Sequence, residues 1–240
     1  MSDFKVNTIL NPQIAGITTY KGSGMTLPVG PTEMRGGRGR MLLVGGFGNS
    51  PNNSYQTQIQ SLTIATTGNS IDFGDVSVAR YVPSTCASST RGIAAGGSPS
   101  TSTIEYITIP SSGGGNDFGN LREEKQNAAG LSDSTRGVFA GGYVNPIAQV
   151  TTIDFINIAS TGNSNSFGNL TEKKQNVAAC ASPTRGIVFG GHTPTTVNTI
   201  EFVTISTTGD GTDFGNLLNG SRQGAGLSNT TRGLHAGGSG

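Results

Sequence analysis

The sequence predicts an all-β protein made of about five similar units of four short strands each. Three observations predict this class: abundant glycine, few large or charged side chains, and a motif that returns at intervals of 45 to 51 residues. Glycine supplies 38 of the 240 residues, Trp is absent, and charged residues make up 12%. This composition does not fit a Leu-rich helical bundle, whereas it is typical of a turn-rich β architecture.

The charge balance argues against several classes of partner. Fifteen Lys and Arg residues against 14 Asp and Glu residues leave a net charge of +1, which is too weak a field to attract nucleic acid. No stretch reaches the roughly 20 apolar residues that span a bilayer, and residues 1 to 5 lack the basic and apolar layout of a secretory signal. We therefore expect no nucleic-acid partner, no membrane insertion, and synthesis in the cytoplasm.

The first element of the repeat is an apolar run that ends in two glycines. RGIAAGG at residues 91 to 97 returns as RGVFAGG, RGIVFGG and RGLHAGG, and a diverged copy, RMLLVGG, occupies residues 40 to 46. The pairs are Gly45 and Gly46, Gly96 and Gly97, Gly141 and Gly142, Gly190 and Gly191, and Gly237 and Gly238. They mark places where the backbone must approach a neighbour closely.

The second element is a run with β-branched residues and a central aromatic, such as IEYITI at residues 104 to 109. A Phe-Gly pair follows 14 residues after its leading Ile, and the phenylalanines are Phe73, Phe118, Phe167 and Phe214. From the leading Ile to the second Gly of the next pair the distance is 38 residues in all four copies. Only the loop after each Gly pair varies in length, as expected for repeated supersecondary units and not for a disordered chain.

Four short strands make one unit. In the second copy they are Gln126 to Leu131, Gly92 to Gly97, Thr103 to Ile109 and Asp117 to Leu121, separated by Ser- and Gly-rich turns. Four-stranded units of this length predict a β-propeller.

These motifs resemble the kelch repeat: an apolar strand ending in Gly-Gly, a strand with a central aromatic, a strand with Phe-Gly, and then a basic residue at Arg80, Lys125 or Lys174. The resemblance covers residues 40 to 240 and departs from the kelch pattern in lacking Trp. It implies a propeller and no particular activity, because propellers host enzymes, lectins and scaffolds alike.

The sequence predicts five units, one of which is formed by strands from both ends of the chain. Val6 to Ile9 (VNTI) matches Val197 to Ile200, so residues 4 to 21 are expected to add the third and fourth strands to the C-terminal hairpin. The alternative is four units with an N-terminal arm. The chain is accordingly divided into an N-terminal segment, 1–35, and a kelch-like propeller, 36–240.

The N-terminal run SDFKVNTILNPQIAGITTYKGSGMTLPVGPT and the TRGVFAGG-type repeats, with their TTGN and DFGNL turns, resemble tail-fibre and related virion proteins of marine bacteriophages of the cyanophage type. That resemblance implies a structural component of the particle, made in the host cytoplasm, that contacts other virion proteins and forms homo-oligomers. It also implies a role in assembly or host attachment.

The residues that could carry chemistry are few. Gln60, Glu105, Asp154 and Glu201 share one repeat position and could form a carboxylate pair, but duplication explains them without catalysis. His192 and His235 occupy different positions and lack a nucleophile motif, and the two cysteines, Cys86 and Cys180, stand where other copies have Leu. We expect no catalytic residue, no metal, no cofactor and unreactive thiols.

Two candidate binding surfaces remain. The first is a ring of arginines that could bind an anion, against the alternative that they bind turn carbonyls: Arg91, Arg136, Arg185 and Arg232. The second is the rim of variable loops that carries Tyr55, Tyr143 and His192, where a host-surface glycan or a protein partner could bind. The sequence therefore predicts a non-enzymatic virion protein, with a lectin-like propeller module as the alternative.

Overall fold

The computed structural model describes residues 39 to 48, 54 to 146 and 148 to 240. This part of the chain contains 22 β-strands and no helix, so the predicted all-β class is confirmed. The strands are numbered in chain order. The first sheet has three antiparallel strands in the order β1 (Arg40–Val44), β2 (Gln56–Thr63) and β3 (Ile71–Arg80).

Three complete four-stranded sheets share one topology, in which consecutive strands pair antiparallel. One sheet contains β4 (Ser84–Ala87), β5 (Arg91–Ala95), β6 (Thr103–Thr108) and β7 (Asn116–Asn120). The next contains β9 (Ala129–Ser132), β10 (Arg136–Ala140), β13 (Thr152–Asn157) and β14 (Asn165–Asn169). The last contains β15 (Ala178–Ala181), β16 (Arg185–Phe189), β19 (Thr199–Thr204) and β20 (Thr212–Asn216), and a hairpin of β21 (Ala225–Ser228) and β22 (Gly233–Ala236) follows.

Short strands pair along the edge where the Gly pairs lie. They are β8 (Lys125–Gln126), β11 (Tyr143–Val144) and β12 (Ala148–Gln149) in one group, and β17 (His192–Thr193) and β18 (Thr195–Thr196) in another. The predicted strand from Gln126 to Leu131 is therefore wrong: it is split between β8 and β9, and β9 belongs to the next sheet. The split occurs at Asn127, whose φ of 57° no extended strand can accommodate.

The register explains the fixed spacing of the motifs. In each complete sheet the leading Ile of the third strand faces the last residue of the second strand, as Ile104 faces Ala95 and Ile153 faces Ala140. The first Gly of the pair then turns back with a positive φ, which is 63° at Gly96. A Cβ at Gly96 would lie 2.2 Å from the carbonyl oxygen of Lys125, so only glycine fits there.

Consecutive sheets pack face to face, and the core lies between them. Between the second and third sheets, Ile93, Ile104 and Phe118 pack with Phe139 and Ile156, all nearly inaccessible to solvent. Because each third strand lies between neighbouring sheets, both of its faces carry buried apolar side chains, such as Ile104 and Ile107 on opposite faces of β6.

Backbone hydrogen bonds also join neighbouring sheets. The turn after each third strand donates to the last strand of the preceding sheet: Gly113 N lies 2.8 Å from Phe73 O, and Gly162 N lies 2.7 Å from Phe118 O. At the other edge the first strands of successive sheets touch, with Gly130 directly against the backbone of Thr85. The Gly residues of these turns and strands thus allow close contact between units.

The two ends of the array expose apolar side chains whose counterparts are buried in the complete sheets. Phe214 is 55% exposed, whereas Phe118 and Phe167 are 2% and 3% exposed. Leu227 and Leu234 of the C-terminal hairpin are likewise exposed. The segment predicted to cover this edge, residues 4 to 21, lies outside the described residues, and closure of the sheets into a propeller stays a prediction.

Candidate functional site

The carboxylates at the shared repeat position form buried ion pairs between sheets. Glu105 binds Arg80, Asp154 Oδ2 lies 2.7 Å from Lys125 Nζ, and Glu201 Oε1 lies 2.6 Å from Lys174 Nζ. Arg80 ends the last strand of the first sheet, and Lys125 and Lys174 follow the last strands of the next two sheets, whereas each anion lies in the third strand of the sheet that comes next. All six side chains are at most 2% exposed.

Each carboxylate has a further donor, so its charge is well compensated. Ser77 N donates to Glu105 Oε1 at 2.7 Å, and Thr171 N donates to Glu201 Oε2 at 2.7 Å. Asp154 instead accepts a second charged donor, Nη1 of the half-exposed Arg122, at 3.2 Å. Burial lowers the pKa of Arg80 from its usual value, while the attraction of Glu105 opposes that shift. These carboxylates therefore join adjacent units rather than face a cleft.

The sequence contains a signal for this ion pairing, although the basic and acidic positions were considered separately above. The basic residue lies 21 positions after the leading Ile in three units, and the same position holds Ser221 in the fourth. The carboxylate position holds Gln60 in the first unit. The repeat therefore has one basic position and one acidic position, and each is occupied by a charged residue in three of the four units. Comparison of the two positions across the repeats would have indicated an ion pair between units.

The candidate arginines lie at the start of the second strands, at the opposite end of the strands from the Gly pairs. Arg91, Arg136 and Arg185 each stack over the aromatic ring of the adjacent third strand, 4.4, 4.8 and 4.6 Å from its centroid. Arg91 Nη1 also donates to Ile158 O and Ala159 O, at 2.9 and 3.0 Å.

The same contact recurs elsewhere in the array. Arg136 Nη1 lies 3.2 Å from Ile205 O, and Arg40 Nη1 lies 2.9 Å from Ile109 O. Arg232, in the C-terminal hairpin, is exposed. Arginines thus tie one sheet to the turn of the next, and anion binding by the ring of Arg91, Arg136, Arg185 and Arg232 stays a prediction.

The candidate rim is placed at the loops that follow the Gly pairs. Tyr55 is 40% exposed, and Tyr143 and His192 are half-buried in separate loops. Tyr143 pairs with Gln149, and His192 pairs with Thr196, so each loop closes on itself in the same way. Tyr55 pairs with Phe47 at the equivalent place in the first sheet.

Two residues that the sequence analysis did not single out join Tyr55. Phe47 and Tyr81 are 50% and 43% exposed, and the ring of Phe47 makes edge contacts with both tyrosines, at centroid distances of 5.6 and 6.1 Å. Phe47, Tyr55 and Tyr81 are called the aromatic cluster below. The hydroxyls of Tyr55 and Ser98 lie 3.5 Å apart at its edge.

The two thiols lie against glycines of the next sheet. Cys86 Sγ would be 2.6 Å from a Cβ at Gly137, and Cys180 Sγ would be 2.8 Å from one at Gly233. Burial raises the pKa of Cys86 to about 12 and also raises that of Cys180. The thiolate needed for reaction is therefore scarce at neutral pH.

His235 packs on Phe189 with ring centroids 5.7 Å apart, far from the loop of His192 in the repeat. Within residues 39–48, 54–146 and 148–240, no group of three or more His, Cys, Asp or Glu side chains could hold a metal ion. The same residues include no helix that is long and apolar enough to cross a membrane.

The turns between first and second strands converge around a depression of about 420 Å³. Its lining comes from all three complete sheets and the C-terminal hairpin, and includes Ser88, Ser132, Ser182 and Thr230. The same turns of four units meet here, as turns around a common axis would.

Comparison with known proteins adds no relative: no protein-family model matches the chain, and no curated protein matches its sequence.

Proposed function

We propose that the protein is a non-enzymatic structural component of a bacteriophage particle, at a tail, fibre or other surface position, where it mediates assembly or host attachment. One observation carries the non-enzymatic part: the repeated acidic residues that could have acted as acid and base are held in buried ion pairs between sheets. A carboxylate that is 1% exposed and bound to a cation does not reach a substrate.

The virion part of the proposal rests on the resemblance of the N-terminal run and of the TRGVFAGG-type repeats to phage virion proteins. Its partners are then other virion proteins and further copies of the chain. The experiment is mass spectrometry of purified particles, followed by a density map in which the sheets are located. Recovery of the chain only from infected-cell lysate, with none in purified particles, would contradict the proposal.

The enzyme alternative has its own test. Incubation of the protein with host-surface polysaccharide should release no oligosaccharide. Cleavage by the wild-type protein that Glu105→Gln abolishes, while the fold measured by circular dichroism is retained, would establish a hydrolase instead.

We further propose that the sheets form a kelch-like β-propeller of five blades, closed by residues 4 to 21. The support is that β22 pairs only with β21 among the described residues and exposes Leu234, together with the match of residues 6 to 9 to residues 197 to 200. In the complete sheets Ile153 faces Ala140, so Ile9 should face Ala236. Gly141 and Thr152, the next pair along the ladder, are hydrogen-bonded, so Ala140 and Ile153 form a non-hydrogen-bonded pair. Ile9 and Ala236 should form the corresponding non-hydrogen-bonded pair, in which the side chains are closest.

A cysteine pair tests this closure. Ile9→Cys with Ala236→Cys should form an intramolecular disulfide under mild oxidation. Ala225→Cys replaces Ala236→Cys in the control, because Ala225 lies one strand, about 4.8 Å, farther away. Failure of the first pair to cross-link within the chain would favour four blades with an N-terminal arm.

Carbohydrate recognition is the second candidate function. The observation that favours it is the aromatic cluster, because exposed rings that touch one another are unusual on a polar surface and commonly mark a binding site.

A further inference from the structure

We propose that the aromatic cluster of Phe47, Tyr55 and Tyr81 is a binding site for an uncharged saccharide. This inference rests on the second candidate function and assigns it to one place on the rim. It does not depend on where the protein lies in a particle.

The cluster is formed by residues far apart in the chain. Phe47 follows the first Gly pair and bridges to Tyr55, and Gly46 N donates to the carbonyl of Arg80 at 2.9 Å, which brings the adjacent Tyr81 alongside. The rings meet edge to face, with interplanar angles of 73° and 62°. Mutual contact limits the motion of the rings, so a ligand that stacks on them loses little additional side-chain freedom.

The repeats provide an internal comparison, because the fold builds the same bridges elsewhere with at most one aromatic side chain in each, as where Tyr143 pairs with Gln149. Phe47 corresponds to Ser98, Tyr55 to Gln149, and Tyr81 to Gln126 and Gln175. Ser98 pairs with Tyr81, and Gln175 pairs with His192, through the same backbone contacts. Three aromatic side chains are therefore not needed to build this rim, and they remain about half exposed where they occur.

The size of the cluster fits a small ligand better than a protein. About half of each ring is exposed, which amounts to roughly 300 Å² in all. A stable protein interface needs about 800 Å² per partner with an apolar centre. The apolar face of a sugar ring can stack on an aromatic ring while its hydroxyls form hydrogen bonds, and Tyr55 OH and Ser98 Oγ stand at the edge of the cluster.

The charges around the cluster favour an uncharged saccharide. Arg80, which is adjacent to Tyr81 in sequence, is fully buried and bound to Glu105, so it offers no exposed donor to an acidic sugar. The residues bridged to the cluster or within it are Tyr, Phe and Ser, none of which is charged at neutral pH.

The experiment uses the full chain and an array of immobilised oligosaccharides that includes neutral hexose and N-acetylhexosamine oligomers as well as sialylated and uronic acid oligomers. Each cluster residue is replaced by the residue that another repeat carries at that position: Phe47→Ser, Tyr55→Gln and Tyr81→Gln. Because these replacements already occur in the same fold, the thermal unfolding midpoint should change little. Binding of neutral oligosaccharides should weaken about tenfold for each ring removed.

Ile71→Ser is the control, since Ile71 is an exposed apolar side chain of the first sheet that belongs neither to the cluster nor to the rim, and this variant should retain wild-type binding. Neutral saccharide binding that Phe47→Ser and Tyr81→Gln leave unchanged would overturn this inference and leave carbohydrate recognition standing elsewhere. Binding restricted to acidic oligomers would overturn it in favour of the arginine ring. Absence of any binding would refute both this inference and the second candidate function.

Discussion

The ion pair between Lys125 and Asp154 provides a sharp test of how the sheets are held together. Nζ and Oδ2 lie 2.7 Å apart, and the two side chains are 0% and 1% exposed. With an effective dielectric constant of about 20, attraction at this distance is about 6 kcal/mol. Desolvation of the two ions costs several kcal/mol each, so the intact pair contributes little net stability.

Removal of one partner has a much larger effect. Asp154→Leu leaves Lys125 buried with only the carbonyl of Thr152, at 3.2 Å, and the partly exposed Glu123, at 3.9 Å. We expect the free energy of unfolding to fall by about 3 to 5 kcal/mol. For a chain of this size, that loss lowers the thermal midpoint by about 6 to 20 °C. Lys125→Met should cost less, because Asp154 keeps Arg122 at 3.2 Å.

The assay is thermal and urea unfolding of both single variants and of the double variant. Lys125→Met combined with Asp154→Leu should recover most of the lost stability, because no unpaired charge remains buried. Asp117→Leu is the control, since that carboxylate is exposed and should change stability by no more than about 0.5 kcal/mol. A coupling energy below about 1 kcal/mol in the double-mutant cycle would refute the reasoning.

Four further predictions concern contacts between the sheets. Because burial raises the pKa of Cys86 to about 12, native protein at pH 8 should react slowly with a thiol reagent and urea-unfolded protein rapidly. The same shift favours the neutral thiol in the folded state, so the free energy of unfolding should decline between about pH 9 and pH 12. Urea titration at each pH measures this decline. The Cys86→Ala variant is the control and should lack the part of the decline that comes from Cys86. Gly130→Ala should lower the free energy of unfolding by about 1 to 3 kcal/mol, because its Cβ would lie 2.2 Å from a carbonyl oxygen of the preceding sheet. Gly209→Ala should be close to neutral, because a Cβ there would meet open space. Equal unfolding midpoints for the two variants would contradict this packing. Arg91→Ala should lower the free energy of unfolding by about 2 kcal/mol, and Arg185→Ala by about 1 kcal/mol, because both arginines stack on an aromatic ring but, among the described residues, only Arg91 donates to two turn carbonyls. The reverse order in urea unfolding would argue against the carbonyl contacts.

Much of the fold was predictable because its strands are specified locally. Alternation of β-branched and aromatic residues, turn-forming Gly and Ser, and a motif of fixed length are visible in any one repeat, and they indicated four strands in each unit. The error at residues 126 to 131 came from a local feature that composition does not show, since Asn127 adopts a positive φ within an otherwise strand-like run.

The candidate site was predictable only in part. Tyr55, Tyr143 and His192 lie where the chain turns back after or before a Gly pair's loop, and their place in the repeat follows from sequence spacing, whereas their role in binding stays a prediction. Phe47 and Tyr81 were missed, since their proximity depends on the hydrogen bond between Gly46 and Arg80 and not on any local pattern.

The sequence by itself determined the all-β class, the length of the repeat, and the glycines that allow backbones to approach one another. These properties follow from side-chain size and from the twofold periodicity of a strand, both of which act over a few residues. Only the tertiary structure decided which charge meets which: Lys125 and Asp154 are 29 positions apart and belong to different sheets. Pairing across sheets depends on how one unit lies against the next, and a residue's neighbours in sequence do not specify that arrangement.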